Sequence, residues 1–221
     1  MTTQDIDRDL SDFATEALPG LPERPPAGEE ILWQGRPNAW ALAREAYKIT
    51  WVGGYFLALG LWQGIAAFGG NIAGVIAVLL PYLAAGAVAV AILSLMAYVQ
   101  ARGTVYTITT SRVVLRVGAA LTVTLNLPFT QIGAAHLAHG AAKTGTLAFE
   151  TLGDARISYL VLWPHARPWA LGRAQPALRS IPDATRVAQM FTEAAQSRLS
   201  APRVARMDGM PSPNLSGPVA A

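Results

Sequence analysis

The longest uncharged stretch of the chain runs from Ile49 to Ala101 and contains no Asp, Glu, Lys or Arg. It holds two apolar runs, 49–68 and 72–99, separated by Gly69-Gly70-Asn71. A helix needs roughly 20 apolar residues to cross the hydrocarbon core of a bilayer, where it must satisfy its own backbone hydrogen bonds. The pattern therefore predicts a transmembrane helical hairpin. The alternative is a pair of buried helices in a soluble protein, but the remaining chain is too short to wrap them.

After Arg102 the hydrophobic period changes to two, which is typical of half-buried strands. Three alternating segments come first, and shorter strands are predicted behind them: Tyr106–Thr109, Arg112–Val117 and Leu121–Leu127, then Gln131–His136, Thr146–Thr151 and Ile157–Trp163. An amphipathic helix is predicted from Asp183 to Leu199, with Ser180 or Asp183 as its cap. The expected fold class is membrane α+β, in which a transmembrane hairpin carries an antiparallel β-domain closed by one helix.

The remaining segments complete the predicted organisation. Residues 1–28 are acidic and then rich in proline, which predicts an extended arm. Residues 29–48 read as a short strand and an interfacial lead-in, with Trp40, Tyr47 and Trp51 suited to an aromatic belt. The hairpin occupies 49–101, the β-domain 102–199, and a disordered tail is expected over 200–221.

Composition and charge support a membrane location. Only 14% of the residues are charged, against about 25% in soluble proteins. The net charge of +3 divides into −4 before residue 49 and +7 after it. Bases flank both ends of the hairpin, so we expect both termini in the cytoplasm. The basic surplus fits anionic headgroups or an acidic partner better than nucleic acid.

Small residues occur at helical spacing in the predicted hairpin. Gly60 and Gly64 form one pair, and Gly70 and Gly74 form another. Such pairs let helix backbones approach closely. The facing helix could be the other arm of the hairpin, a second copy of the chain or another membrane protein; the first is the commonest.

The residue patterns of known catalytic and metal sites are not found. The chain has no cysteine and three histidines. His136 and His139 are three residues apart on a predicted strand, where they would face opposite sides, so no metal site is expected. No nucleophile elbow, Walker loop or dinucleotide fingerprint is present. We therefore expect neither an enzyme nor a cofactor.

Two segments that flank the hairpin resemble a known family. Gly28–Pro37 (GEEILWQGRP) and Tyr106–Gly118 (YTITTSRVVLRVG) are similar to bacterial membrane proteins with a PH-like domain. The resemblance implies a small β-barrel that opens with the Tyr-x-Ile-Thr-x-x-Arg stretch and is plugged by the terminal helix.

A closer resemblance covers roughly residues 18–199. It rests on the GEEILWQGRP run together with Leu18–Pro26 (LPGLPERPP), Leu162–Trp169 (LWPHARPW) and Pro176–Ala184 (PALRSIPDA), which resemble the PuhB family of photosynthetic complex assembly proteins of purple bacteria. The resemblance implies an inner-membrane factor that aids assembly of reaction-centre and light-harvesting 1 subunits and holds no pigment itself. An alternative of another class is a PH-like module that binds anionic lipid or senses the state of the envelope.

The predicted site is a partner surface in the loop dense in aromatics and bases. Trp and Arg dominate binding hot spots, so the candidate residues are Trp163, His165, Arg167 and Trp169, with Trp33 and Arg36 near them. His165 could also ligate a pigment or bind an anion, although a hydrogen bond within an ordered loop is commoner. The alternative for the whole loop is that it packs on the barrel and fixes the last helix.

Overall fold

The computed structural model describes residues 21, 25–26, 28–118, 122–140, 143–153, 158–170 and 172–200. The predicted N-terminal arm lies mostly outside these ranges, and the predicted C-terminal tail lies outside them except for Ser200. The elements follow in chain order: β1 (Ile31–Gly35), α1 (Ala39–Glu45), α2 (Ile49–Ala66), α3 (Ile72–Gly103), β2 (Val105–Thr109), β3 (Arg112–Val117), β4 (Val123–Pro128), a 3-10 turn (Phe129–Gln131), β5 (Ile132–His139), β6 (Thr144–Thr151), α4 (Tyr159–Leu162), β7 (Ala177–Pro182) and α5 (Ala184–Ser200).

The two predicted long apolar helices, α2 and α3, are confirmed and pack against each other as a hairpin. Both are long and apolar enough to be candidate membrane spans, and only 17% and 6% of their most apolar stretches are buried within the protein. Two helices that cover each other so little leave their apolar side chains facing the surroundings. That exposure differs from the mostly buried core helices of a soluble protein.

Glycines set the close contact between the helices. A Cβ added at Gly60 would lie 2.8 Å from Leu79 Cδ1, and one at Gly86 would lie 2.7 Å from Phe56 Cβ. Gly64 similarly faces Val75, at 3.1 Å.

The predicted pairing of Gly70 with Gly74 is wrong. Gly70 lies in the connection with a φ of 81°, and a Cβ on it would meet nothing within 4 Å. Gly74 approaches only the Ala67 carbonyl, at 3.9 Å. Gly70 is therefore needed for the turn, where a positive φ favours glycine, and not for helix packing.

Helix α1 packs against the last turns of α3 at the base of the hairpin. Leu42 and Tyr47 form a small core there with Ala97 and Ala101. Tyr47 does not take the place in an aromatic belt that its sequence position suggested, because its side chain is buried here. Trp40 and Trp51 are exposed.

The seven strands form two antiparallel sheets, one with the order β1-β2-β3-β4 and one with the order β5-β6-β7. The predicted closed barrel is therefore wrong for the described residues. The chain leaves the first sheet at Pro128, which has no backbone N–H to donate, and the 3-10 turn Phe129–Gln131 leads it into the second. One core lies between the sheets and α5, centred on Tyr106, Phe149 and Phe191.

Two elements near the C-terminus differ from the expectation. Residues 159–162 form the short helix α4 where a strand was predicted. The described part of the second sheet is completed by β7 instead, which covers Ser180-Ile181-Pro182, where a helix start was predicted. Strand β7 pairs with β6 and takes the edge that a strand over 157–163 would have used. Ser180 adopts a positive φ of 51° at the irregularity where β7 shifts register against β6, and Asp183 adopts a φ of 49° where the chain turns into α5.

Candidate functional site

The loop of residues 163–169 touches both ends of the helical hairpin. The Trp163 ring meets the Tyr47 ring edge-on with centroids 5.0 Å apart, and Tyr47 lies two residues before α2 begins. His165 contacts Thr104, the residue that directly follows α3. The loop therefore lies at the base of the hairpin, against the start of one helix and the end of the other.

His165 lies at the centre of a buried chain of hydrogen bonds. The Arg179 backbone N–H donates to the Tyr106 hydroxyl at 3.3 Å, so the single proton of that hydroxyl is free for His165 Nδ1, 2.6 Å away. This arrangement leaves the ring proton on Nε2, which donates to Thr104 Oγ1 at 3.1 Å. The Thr104 hydroxyl in turn donates to the Gln100 carbonyl in α3 at 2.8 Å. The chain thus links the helical hairpin to β2 and β7.

Burial decides the charge of this cluster. Removal from water, and then the positive charge of Arg179, lower the pKa of His165 from 6.5 to about 3. Burial also raises the pKa of Tyr106. Both side chains are therefore neutral at physiological pH, as the hydrogen-bond chain requires.

His165 does not belong to an exposed partner surface, because only 1% of it is exposed and its ring nitrogens are both engaged. This corrects the sequence-based assignment for that residue. The physical reason is that a neutral imidazole can satisfy two buried hydroxyls at once, one with each nitrogen.

The other loop residues differ in how much of each side chain is exposed. Trp163 is 39% exposed, whereas Trp169 is 89% exposed. Arg167 donates to the Gln175 side chain at 2.9 Å and lies on the surface. The exposed residues of the loop are therefore Trp163, Arg167, Pro168 and Trp169, and Leu160 in the preceding helix α4 is 85% exposed as well.

Trp33 lies elsewhere than expected. Trp33 is in β1 opposite Ile108 and packs against the main core. The apolar side chains next to the loop, Leu162 and Ala166, form a separate small cluster. Arg36 is exposed in the turn that follows β1. The structure does not place Trp33 in the same cluster as the loop.

A groove of about 790 Å³ opens beside the loop, between the α1–α2 junction and strands β5 and β6. Its lining includes the cations Lys48, Arg167 and Arg179, the carboxylate Glu45, and His136 and His139. His136 faces Glu150 at 3.4 Å, and His139 faces Thr185 at 3.2 Å. Within the described ranges no group of three His, Asp or Glu side chains could hold a metal ion.

Arg179 is the residue of this region that sequence reasoning missed. It is 5% exposed, and its Nη1 donates to the Pro164 carbonyl at 3.2 Å. Its Nε is buried and has no hydrogen-bond partner among the described residues. Burial lowers its pKa, and the charge of Glu45 opposes that shift. The sequence feature that could have pointed to Arg179 is its position as a lone base in the PALRSIPDA segment, beside apolar residues.

Comparison with known proteins places the chain in a family. The family model described as "Bacterial PH domain" matches residues 51–195. The chain belongs to the bacterial PH domain family. A similar protein of Rhodobacter capsulatus is 46% identical over 197 residues, which cover 87% of this chain and 92% of the relative. Its name is "Uncharacterized 23.7 kDa protein in puhA 5'region". No solved structure matches the chain.

Strand β1 completes the first sheet of this bacterial PH domain although it lies before the matched residues. Glu29, just ahead of β1, accepts hydrogen bonds from Arg112 Nε at 2.7 Å, from Arg112 Nη2 at 2.8 Å and from Thr109 Oγ1 at 2.6 Å. The desolvation of Glu29 raises its pKa, but these donors outweigh it and lower the pKa overall. The GEE segment is thereby tied to the Tyr-x-Ile-Thr-x-x-Arg stretch across the hairpin.

Proposed function

We propose that the protein is an assembly factor of the bacterial inner membrane that docks reaction-centre and light-harvesting 1 subunits while the photosynthetic complex forms. The hairpin spans the bilayer in this proposal, and both termini and the PH-like domain lie in the cytoplasm. The protein carries out no catalytic step and holds no cofactor or pigment.

Two observations outside the site support this proposal. The relative from Rhodobacter capsulatus is named for its place in the puhA 5' region, which suits a photosynthesis gene cluster and agrees with the resemblance to the PuhB family. Only 17% and 6% of the most apolar stretches of α2 and α3 are buried within the protein, so much of their apolar surface is exposed. Surfaces of that kind can contact lipid and membrane subunits laterally.

The observation that carries the proposal is an exposed Trp–Arg pair on a loop that is fixed to the hairpin. Trp169 is 89% exposed, and Arg167 lies beside it on the same loop. His165 between the two tryptophans is held by Thr104 and Tyr106. A rigid loop loses little entropy on binding, and Trp and Arg are the side chains that contribute most at interface centres.

The test is a double substitution, Arg167→Ala with Trp169→Ala, introduced into a photosynthetically growing purple bacterium. We expect unchanged amounts of the protein by immunoblot and a lower reaction-centre yield by near-infrared absorbance. Affinity purification should recover less of the reaction-centre and light-harvesting 1 subunits. An unchanged yield would contradict the proposal, and loss of the protein itself would show that the loop has a structural role.

The matched control changes another exposed Trp–Arg pair outside the loop. Trp40 is 60% exposed in α1, and Arg44 is exposed one turn later. The variant Trp40→Ala with Arg44→Ala removes the same side-chain types near the same membrane boundary. It should leave reaction-centre yield near the wild-type level if docking depends on the loop.

A further inference from the structure

The lining of the groove beside the loop carries more positive than negative charge. Lys48, Arg167 and Arg179 contribute three cations to its lining, and Glu45 contributes a carboxylate. Glu45 is already engaged, because its Oε2 accepts a hydrogen bond from the Ser180 hydroxyl at 3.0 Å. The three cations outnumber the single carboxylate, so the groove has a net positive charge, which favours an anionic occupant.

Arg179 gives the groove a built anion-binding group. It is 95% buried, and yet its Nε donor has no partner among the residues that the structure describes. Nearly all buried donors in folded proteins are hydrogen-bonded, and a buried guanidinium costs free energy unless an anion offsets its charge. Glu45 offsets part of the charge of Arg179, and an anion bound in the groove would add to that opposite charge.

The position of the groove indicates what the anion is. Lys48 lies in its lining and directly precedes Ile49, the first residue of α2. If α2 enters the bilayer at that residue, the groove opens at the level of the lipid headgroups. The phosphate of an anionic phospholipid lies at this depth, and it suits guanidinium and ammonium donors.

We propose that this groove binds the phosphate of one anionic phospholipid headgroup, with Arg179 and Lys48 as its ligands. This inference rests on the membrane placement of the hairpin in the proposed function, but it does not depend on the docking of photosynthetic subunits. The proposed ligands, Arg179 and Lys48, are not members of the exposed Trp–Arg pair, although Arg167 of that pair also lines the groove, and the bound lipid fixes the PH-like domain against the bilayer.

The experiment is native mass spectrometry of the full-length protein released from nanodiscs that contain phosphatidylglycerol or phosphatidylcholine. We expect one retained phosphatidylglycerol per chain and little retained phosphatidylcholine. Because hydrogen bonds to charged groups are strong, Lys48→Gln and Arg179→Gln should each reduce phosphatidylglycerol retention about tenfold. Lys48 is exposed and directly precedes the first residue of α2, so its substitution keeps the test valid if the Arg179 variant fails to fold.

The matched control is Arg102→Gln. Arg102 lies in the last turn of α3, where its guanidinium carbon is 5.1 Å from the centroid of the Tyr98 ring. It does not line the groove. Its substitution removes one positive charge near the same boundary and should leave retention unchanged. An equal loss in this variant, or equal retention of the two lipids, would overturn the proposal.

A second binding experiment, without lipid, distinguishes a lipid headgroup from free phosphate as the ligand. Inorganic phosphate and glycerol phosphate are added to the protein in lipid-free detergent at millimolar concentration. We expect that neither ligand is retained after exchange into ammonium acetate. Retention of either one that is lost in Lys48→Gln would assign the groove to a soluble phosphate and overturn the lipid assignment.

Discussion

Substitution of Tyr106 by Phe tests the buried chain of hydrogen bonds that joins the hairpin to the PH-like domain. The Tyr106 hydroxyl accepts the Arg179 backbone N–H at 3.3 Å and donates to His165 Nδ1 at 2.6 Å. Tyr106 itself is fully buried. Phe keeps the ring and removes only the oxygen, so two buried polar groups lose their partner while the packing stays nearly the same.

The expected cost follows from the two groups left unpaired. A buried donor or acceptor without a partner costs about 1–3 kcal/mol. The bond to His165 is short and belongs at the upper end of that range, whereas the 3.3 Å bond from Arg179 belongs at the lower end. We therefore expect Tyr106→Phe to lower the free energy of unfolding by roughly 2–4 kcal/mol, a large part of the about 5–15 kcal/mol typical of a domain.

The assay is equilibrium unfolding of the full-length protein by urea in a mild detergent, followed by tryptophan fluorescence. The control is Tyr98→Phe, since Tyr98 is 46% exposed in α3. A double-mutant cycle of Tyr106→Phe with Thr104→Val then measures the coupling across His165. A change of under about 0.5 kcal/mol in Tyr106→Phe, which is the usual range of surface substitutions, would refute the role given to this chain.

Three further outcomes are expected. The pKa of His165 is about 3 in the folded protein against an ordinary 6.5, so the unfolded chain binds the proton more readily; stability is fully present above pH 6.5 and is lost as the pH falls toward 3. The urea midpoint should therefore be lower at pH 5 than at pH 8, and this difference should be smaller in His165→Gln. Gly86→Ala should loosen the hairpin because the new Cβ would lie 2.7 Å from Phe56 Cβ, whereas Gly54→Ala, which meets nothing within 4 Å, should be neutral or stabilising when helical circular dichroism is followed on heating. Phe191→Ala should lower the free energy of unfolding by about 3–5 kcal/mol in the urea assay, because it removes a ring packed between Phe129 and Phe149.

The hairpin and the first sheet could be predicted because local pattern determines them. An uncharged run as long as 49–101 has few alternatives to helices. The alternation over 112–117 matches the buried apolar positions Val113, Leu115 and Val117 of β3. In β2 the intervening Thr107 and Thr109 are buried as well, so alternation identified the strand but not the burial of its second face.

The elements near the C-terminus could not be predicted because distant partners determine them. Strand β7 exists through its pairing with β6, and the segment Ser180-Ile181-Pro182 has by itself the appearance of a helix start. The short helix α4 has four residues, too few to show a period. The division into two sheets occurs at Pro128, where the chain leaves the first sheet. The alternation of apolar and polar residues predicts strands, but it does not predict which strands share a sheet.

The candidate site was only partly accessible to sequence reasoning, for a related reason. A tryptophan-rich loop is visible as composition, but composition does not distinguish Trp169, which is 89% exposed, from His165, which is 1% exposed. The role of His165 depends on Thr104 and Tyr106, which are 61 and 59 residues away in the chain. Arg179 likewise gains its significance from a groove whose other cations come from the start of α2 and from the loop.

The contacts at the base of the hairpin make the PH-like domain and the helices one mechanical unit. Rotation of α3 about its axis would break the bond from His165 to Thr104, and displacement of α2 would separate Trp163 from Tyr47. Each contact is buried or partly buried, so breaking it leaves polar or aromatic surface without a partner. The exposed Trp169 is therefore presented at a fixed height and angle relative to the hairpin. Under the proposed docking function, a surface fixed in this way would guide a membrane subunit, because orientation in the bilayer and contact with the loop would be set together.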